Sequence, residues 1–337
     1  MSFASTPATV MGRLRAWWHR PEIRDGVLDN LIWVILAIVV VYFSVMIPGF
    51  LSLPILTNVL LYSTFLAVMV IGETLCLLTG NFDLSVESTL AFAAMVGAML
   101  MGLRPPALGL GLSPIIVVPA MILVGSCIGL FNGFAVAKMR INPFVVTLAT
   151  MIVLRALTVI LTNSQAIIGL PNSYAWVATA MAGPVEMLVL LTAVLYLAFH
   201  LLITRTVFGR KLFAVGGARE IAFAYGLKPD RVVILAYVMS GALAATAGWF
   251  LSARLDAALP DLAQGMTFDV MAAAVIGGVA LNGGRGSLVG ALGGVLLLGC
   301  IDTALTVALV PPSWFDAVRG GVIFLAVGLD TLKQRLR

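Results

Sequence analysis

The sequence predicts an all-α, polytopic membrane protein of about ten transmembrane helices with both termini cytoplasmic. Three observations predict it. Of the 337 residues, 61% are hydrophobic and only 10% charged, and the mean hydropathy is +1.10. Soluble domains carry roughly a quarter charged residues, and more than half of a globule's surface is apolar already. The apolar residues also gather in runs long enough to cross a bilayer, about 20 residues at 1.5 Å each. Finally, the basic residues cluster in the breaks between runs, on alternate sides. This composition excludes a disordered chain, a secreted disulfide scaffold and a nucleic-acid binder. The pI near 9.4 reflects topology signals scattered between spans, not a binding patch.

Segment 1–28 is a basic cytoplasmic lead-in with Arg13, Arg15, Arg20 and Arg24. The run after it lacks a small-residue cleavage site, so it reads as a span that stays in the membrane. The ten candidate spans are 30–47, 55–79, 85–103, 114–137, 143–163, 184–204, 232–253, 270–281, 287–310 and 316–332. Their breaks carry turn residues: Pro48-Gly49, Arg104-Pro105-Pro106, Asn142-Pro143, Gly183-Pro184, Gly283-Gly284 and Pro311-Pro312. Residues 29–333 form a single transmembrane domain, followed by a cytoplasmic tail, 334–337. Alternating the spans from a cytoplasmic N-terminus places 16 of the 20 basic residues inside. Only Arg104 and Arg254 fall outside, and Arg155 and Arg319 lie within spans. This bias is the positive-inside rule at work.

Chemistry-bearing motifs are few. Cys76, Cys127 and Cys300 lie singly in apolar runs, which suits neither a disulfide framework nor a metal site. With only His19 and His200, no zinc motif can be assembled, and no cofactor is expected. No lysine follows a glycine, so a phosphate-binding P-loop is absent. Gly283-Gly284-Arg285-Gly286 reads as a tight turn at the membrane edge. There is no Gly-Xaa-Ser-Xaa-Gly nucleophile elbow either. Any energy from ATP must come from another subunit.

Charges inside a bilayer are expensive and point to function by default. Here they are Glu73, Arg155, Asp302 and Arg319, with Asp83, Glu87 and Asp269 at span edges. Asp302 stands about 22 Å from the inner end of its span, and Arg319 within about a turn of the outer end of the next. They form either a structural ion pair or a polar lining of the outer vestibule. Glu73 is placed about 9 Å and Arg155 about 18 Å from the inner face, so no pairing is assigned to them. Asp83 and Asp269 each precede an apolar helix as its expected N-cap.

The pairs Phe82-Asp83 and Phe268-Asp269 introduce helices running in opposite directions. The stretch from Asn132-Gly133 to Asn142-Pro143-Phe144 echoes that from Asp302 to Pro312-Ser313-Trp314-Phe315. Both echoes suggest an inverted-topology repeat. The eighth span, about 18 Å long and ending in glycines, is too short to cross alone. Gly125-Xaa-Xaa-Xaa-Gly129 and Gly290-Xaa-Xaa-Xaa-Gly294 permit close helix packing. The longest inner connection, 205–231, breaks at Gly216-Gly217. It continues as a short amphipathic helix through Ile221, Ala222 and Tyr225, which stops at Gly226 before Pro229. That helix either lies on the membrane, packs beneath the bundle, or docks into a soluble partner.

Four stretches, in order, resemble the permease subunits of bacterial ABC importers for ribose, xylose and related sugars. Residues 80–88, Gly-Asn-Phe-Asp-Leu-Ser-Val-Glu-Ser, resemble the family's GGIDLSVGS signature. Asn132-Gly133 is followed by Asn142-Pro143-Phe144-Val145-Val146-Thr147-Leu148. Thr206-Val207-Phe208-Gly209-Arg210 leads through Ala214-Val215-Gly216-Gly217 to Ala222 and Gly226. Ala273-Ala274-Val275-Ile276-Gly277-Gly278 leads to Gly283-Gly284-Arg285-Gly286-Ser287. Two departures stand out. Asn81 replaces the second glycine of the signature, and Glu87 replaces the glycine after Val86. A carboxylate near a helix start favours the helix dipole.

The resemblance implies a permease subunit of the bacterial inner membrane, with no nucleotide site of its own. It implies a cytoplasmic tandem-domain ATPase that binds the ATP, a periplasmic or lipid-anchored sugar-binding protein, and a second permease copy in the bilayer. It makes 205–231 the coupling element, with Gly209, Arg210, Gly216, Gly217, Ala218, Ala222 and Gly226 as coupling residues. Residues 216–226 are then the docking piece, and bulky residues at Gly217 and Ala222 should uncouple hydrolysis from transport. Candidate pathway residues are Asp83, Ser85, Asn132, Phe144, Thr147, Phe268, Asp269 and Asp302. Related permeases for branched-chain amino acids or nucleosides are alternatives, as is an ion-coupled transporter. The order of opening in the ATP cycle stays open at this stage.

Overall fold

The computed structural model describes residues 31–315 together with 317, 318, 320, 321 and 324. Segment 1–28, Arg319, the tail 334–337 and most of the tenth span, 316–332, lie outside the described residues. Helices dominate: α1 (Leu31–Met46), α2 (Leu53–Leu78), α3 (Val86–Met101), α4 (Pro114–Ala137) and α5 (Pro143–Thr162) come first. A short α6 (Asn172–Thr179) precedes α7 (Met187–Arg205), α8 (Val207–Gly217), α9 (Arg219–Ala224) and α10 (Pro229–Leu255). The short α11 (Met266–Ile276) and long α12 (Leu288–Val307) complete the set. Six of these helices are long and apolar enough to cross a membrane, and α1, α3 and α11 are shorter apolar helices. The protein is a multi-pass membrane protein.

Helix starts follow local chemistry. Proline stands in the first turn of α2, α4, α5 and α10, where its missing N–H costs nothing. Asn142 caps α5 by accepting from the Phe144 N–H at 2.9 Å, and Ser287 caps α12 by accepting from Gly290 at 2.9 Å. Four residue pairs are the only strand structure among the described residues. Ile167–Ile168 pairs antiparallel with Ala257–Ala258, and Met181–Ala182 with Val185–Glu186.

The bundle is built around α2 and α10. Gly125, Gly129 and Gly133 form one stripe of α4 against α10. A side chain at Gly125 would strike the Gly241 carbonyl, and one at Gly129 the Tyr237 carbonyl. The helix backbones therefore touch, and packing across the seam replaces a hydrophobic driving force that lipid cannot supply.

Three expectations need correction. The eighth span is shifted and ends earlier, at Met266–Ile276. Loop 205–231 holds two helices, because the apolar segment from Val207 continues helically through the glycine pair and breaks only at extended Ala218. Residues 163–184 contain α6 and two strand pieces that the span count passed over. Tyr174 seats α6 on α10 through a 2.7 Å hydrogen bond with Ser252.

Candidate pathway and coupling site

Depth can be read along α10, about 39 Å long from Pro229 to Leu255. The Tyr237 hydroxyl donates to the Phe82 carbonyl at 2.8 Å. The Ser240 hydroxyl donates to Asp83 Oδ2 at 3.3 Å. Gly248 packs against the Leu90 carbonyl. Asp83 and Leu90 therefore lie about 16 and 28 Å along α10. The signature loop 79–85 re-enters the membrane, and α3 begins near its middle.

A buried polar network holds that loop. The Asp83 N–H donates to both Glu73 carboxyl oxygens, at 3.3 and 3.2 Å. Asp83 Oδ1 accepts from the Ser85 hydroxyl at 2.6 Å and the Ser85 N–H at 3.0 Å. Asn132 Nδ2 donates to the Ser85 hydroxyl at 2.9 Å, and Asn132 Oδ1 accepts from Thr150 at 2.7 Å. Glu73, Asp83, Ser85, Asn132, Thr150 and Ser240 are all buried. Every polar group left unpaired at this depth would cost several kcal/mol, roughly. The chain therefore satisfies them internally and ties α2, α3, α4, α5 and α10 to one loop.

A second set of bonds places α11. Thr267, in its first turn, donates its N–H to Glu87 Oε2 at 3.1 Å and its hydroxyl to the Leu84 carbonyl at 3.2 Å. Glu87 Oε1 in turn accepts from the Arg155 guanidinium at 3.2 Å. Arg155 also donates to the Pro260 carbonyl at 2.9 Å and the Leu262 carbonyl at 3.3 Å. Two short helices thus start at one depth and leave in opposite directions. Their N-termini face carboxylates: Asp83 for α3 and Glu87 for α11. This corrects the capping expectation. The residue at the cap position of α3 is Ser85, with Asp83 two residues upstream, while Asp269 lies inside α11, whose cap position is Gly265.

The predicted pathway residues fall into separate groups. Asp83, Ser85 and Asn132 are sealed in the network. Thr147 is buried, and its hydroxyl donates to the Pro143 carbonyl of its own helix at 2.8 Å. Phe144 is exposed and edges onto Phe82, ring centres 6.4 Å apart. Phe268 is 70% exposed on α11, beside the Glu87 contact. Asp269 and Asp302 are half-buried on α11 and α12. The sequence reading missed the roles of Ser240, Thr150 and Thr267, and left Glu87 and Arg155 unjoined. Opposite charges alone in an apolar chain were the available signal.

At the end of the bundle carrying loop 205–231, contact is made by backbone. The Gly284 N–H donates to the Leu78 carbonyl at 3.1 Å. A side chain at Gly216 would strike that same carbonyl, and one at Gly283 would meet Gly80. Gly209 is equally constrained against Ile203, whereas a side chain at Gly217 would enter open space. The tight position is Gly216, not Gly217. Arg210 is exposed, Ala222 is buried, and Gly226 ends α9 in the left-handed region at φ +81°. From this base α9 projects Ile221, Phe223 and Tyr225, which are 60%, 70% and 85% exposed. Asp230 holds its flank by ion pairs with Arg219 at 2.8 Å and Lys138 at 3.1 Å.

Comparison with known proteins follows the same lines. Residues 55–327 match the family described as "Branched-chain amino acid transport system / permease component". The ribose import permease protein RbsC of Bacillus subtilis is 34% identical over 318 residues, 92% of this chain and 95% of the relative. Its Escherichia coli counterpart is 33% identical over 336 residues, 98% and 100% of the two chains. The L-arabinose transport system permease protein AraH of Escherichia coli is 32% identical over 304 residues, 90% of each. No solved structure matches.

Proposed function

The chain belongs to the branched-chain amino acid transport system / permease component family, and from that premise we propose that it forms the pathway of an ABC importer for a monosaccharide. The observation that carries this reading is the pairing of a satisfied mid-membrane junction with a projecting apolar helix, α9, at the cytoplasmic end. Ribose and arabinose permeases are among its relatives at 32–34% identity, which favours a sugar over a branched-chain amino acid. An extracytoplasmic binding protein delivers the sugar. A cytoplasmic ATPase supplies the energy and engages Ile221, Phe223 and Tyr225 of α9 in a hydrophobic groove. Two permease copies in the inner membrane enclose the pathway, with Phe144 and Phe268 as weakly binding aromatic surfaces. Gly216 transmits movement of loop 205–231 to Leu78, and so to the signature loop at the end of α2.

The test is uptake by proteoliposomes holding the permease, its ATPase and its binding protein. D-ribose, L-arabinose and L-leucine serve as probes. Uptake of a sugar that requires ATP supports the reading. Uptake of L-leucine alone places the chain with the amino acid importers instead.

A further inference from the structure

Glu87 and Arg155 stand out on three counts. Glu87 occupies the place of a glycine in the signature it otherwise resembles. Arg155 is a single cation on the apolar helix α5. The two meet near mid-membrane, where a charge without a partner is strongly disfavoured. Their contacts are also unusually directed. The carboxylate bridges α3 to the first turn of α11, while the guanidinium bridges α5 to two carbonyls of the segment entering α11. Segment 256–265 descends from the outer end of α10 to mid-membrane; residues 256–258 are held by Gly169, Leu170 and the Ile167–Ile168 strand, and residues 259–265 have turns of their own. Among the described residues, Arg155 donates to the carbonyls of Pro260 and Leu262.

We infer that the Glu87–Arg155 pair is the latch that fixes the entrance to α11, and that breaking it releases residues 259–265 and the exposed Phe268 together, while Asp256, Ala257 and Ala258 stay held by the 167–170 segment. The physical basis is the cost asymmetry of buried ion pairs. Removing one partner strands a charge and loses the whole set of bonds, while removing both loses the bonds alone. The latch is a positioning device: it acts through Thr267 and the carbonyls of Pro260 and Leu262. Its place in transport rests on the permease reading, but the latch is tested without transport.

The experiment uses the purified full-length chain carrying Cys127→Ser and Leu262→Cys. The Leu262 side chain is only 3% exposed, so the introduced thiol reacts slowly with a maleimide while the latch holds. Buried Cys76 and Cys300 report global opening in the same sample. Glu87→Gln and Arg155→Gln should each raise labelling of the introduced thiol about tenfold, with Cys76 unchanged. The double variant should label no faster than the single variants, because all three break one interaction and the double leaves no stranded charge. Labelling at the parent rate overturns the latch. So does a rise matched by Cys76, or a double variant whose rate is the product of the singles. Should Leu262→Cys itself expose Cys76, Ala263→Cys carries the probe; this position is half-buried, so the outcomes are read as the ratio of each latch variant's rate to that of the Ala263→Cys parent.

Discussion

The two junctions of this protein are built from opposite materials. At mid-membrane, side chains do the joining: Glu73, Asp83, Ser85, Asn132, Thr150 and Ser240 in one network, and Glu87 with Arg155 beside it. At the end carrying loop 205–231, Gly80, Gly216, Gly283 and Gly284 bring backbones into contact with almost no side chains. The difference follows from the surroundings. In the hydrocarbon region each re-entrant backbone group must find a partner inside the protein, so polar side chains are recruited. At the membrane edge water satisfies what the protein does not, and closeness of approach matters more. A polar network can re-pair some of its members when one bond is deleted, so the loss falls below that of a fully unpaired group. A backbone contact tolerates no added atom.

Substitutions should separate the two. The largest effect is expected at Gly216→Val, whose side chain must displace the Leu78 carbonyl. Overpacking of this kind costs up to about 3 kcal/mol, and ATP-driven uptake should fall to background while the chain still reaches the membrane. Asn132→Ala comes next. It takes the acceptor from Thr150 and one donor from Ser85, which keeps its bond to Asp83, and thermal unfolding in detergent should show a loss of about 1–2 kcal/mol. Phe268→Ala, beside the network but outside it, should leave stability within about 0.5 kcal/mol yet lower the apparent affinity for sugar uptake. The smallest effect is expected at Gly217→Ala. One residue from the most sensitive position, it should leave the melting curve within about 0.5 kcal/mol. A strong destabilisation there would show that the backbone junction is wider than Gly216.

Much of this was legible in the sequence. The run 114–137 matches α4 residue for residue, because Pro114 opens the helix and Lys138 ends its apolar stretch. The glycine stripe from Gly125 was readable as a packing seam. Depth was not. Counting from the ends of each apolar run assumes that every helix starts at a membrane face, and α3 and α11 start near the middle. That assumption put Glu87 at an edge and Arg155 within the bilayer, so their meeting was hidden. The cap of α11 was equally invisible, since its carboxylate comes from α3, 180 residues earlier in the chain. Helix α9 was legible as a short helix stopping at Gly226, whereas α8 was not, because Gly209 and the Gly216-Gly217 pair interrupt a segment with too few turns for a clear period.

The central claim is that this chain is a conduit worked from outside through α9. Proteoliposomes containing the permease, its ATPase and its binding protein test it most directly, with Phe223→Glu and Tyr225→Glu combined in the permease. The account predicts that ATP-driven sugar uptake falls at least about tenfold while the melting curve of the permease is unchanged. Undiminished uptake by that variant, or uphill uptake by the permease alone on an ion gradient, would contradict it.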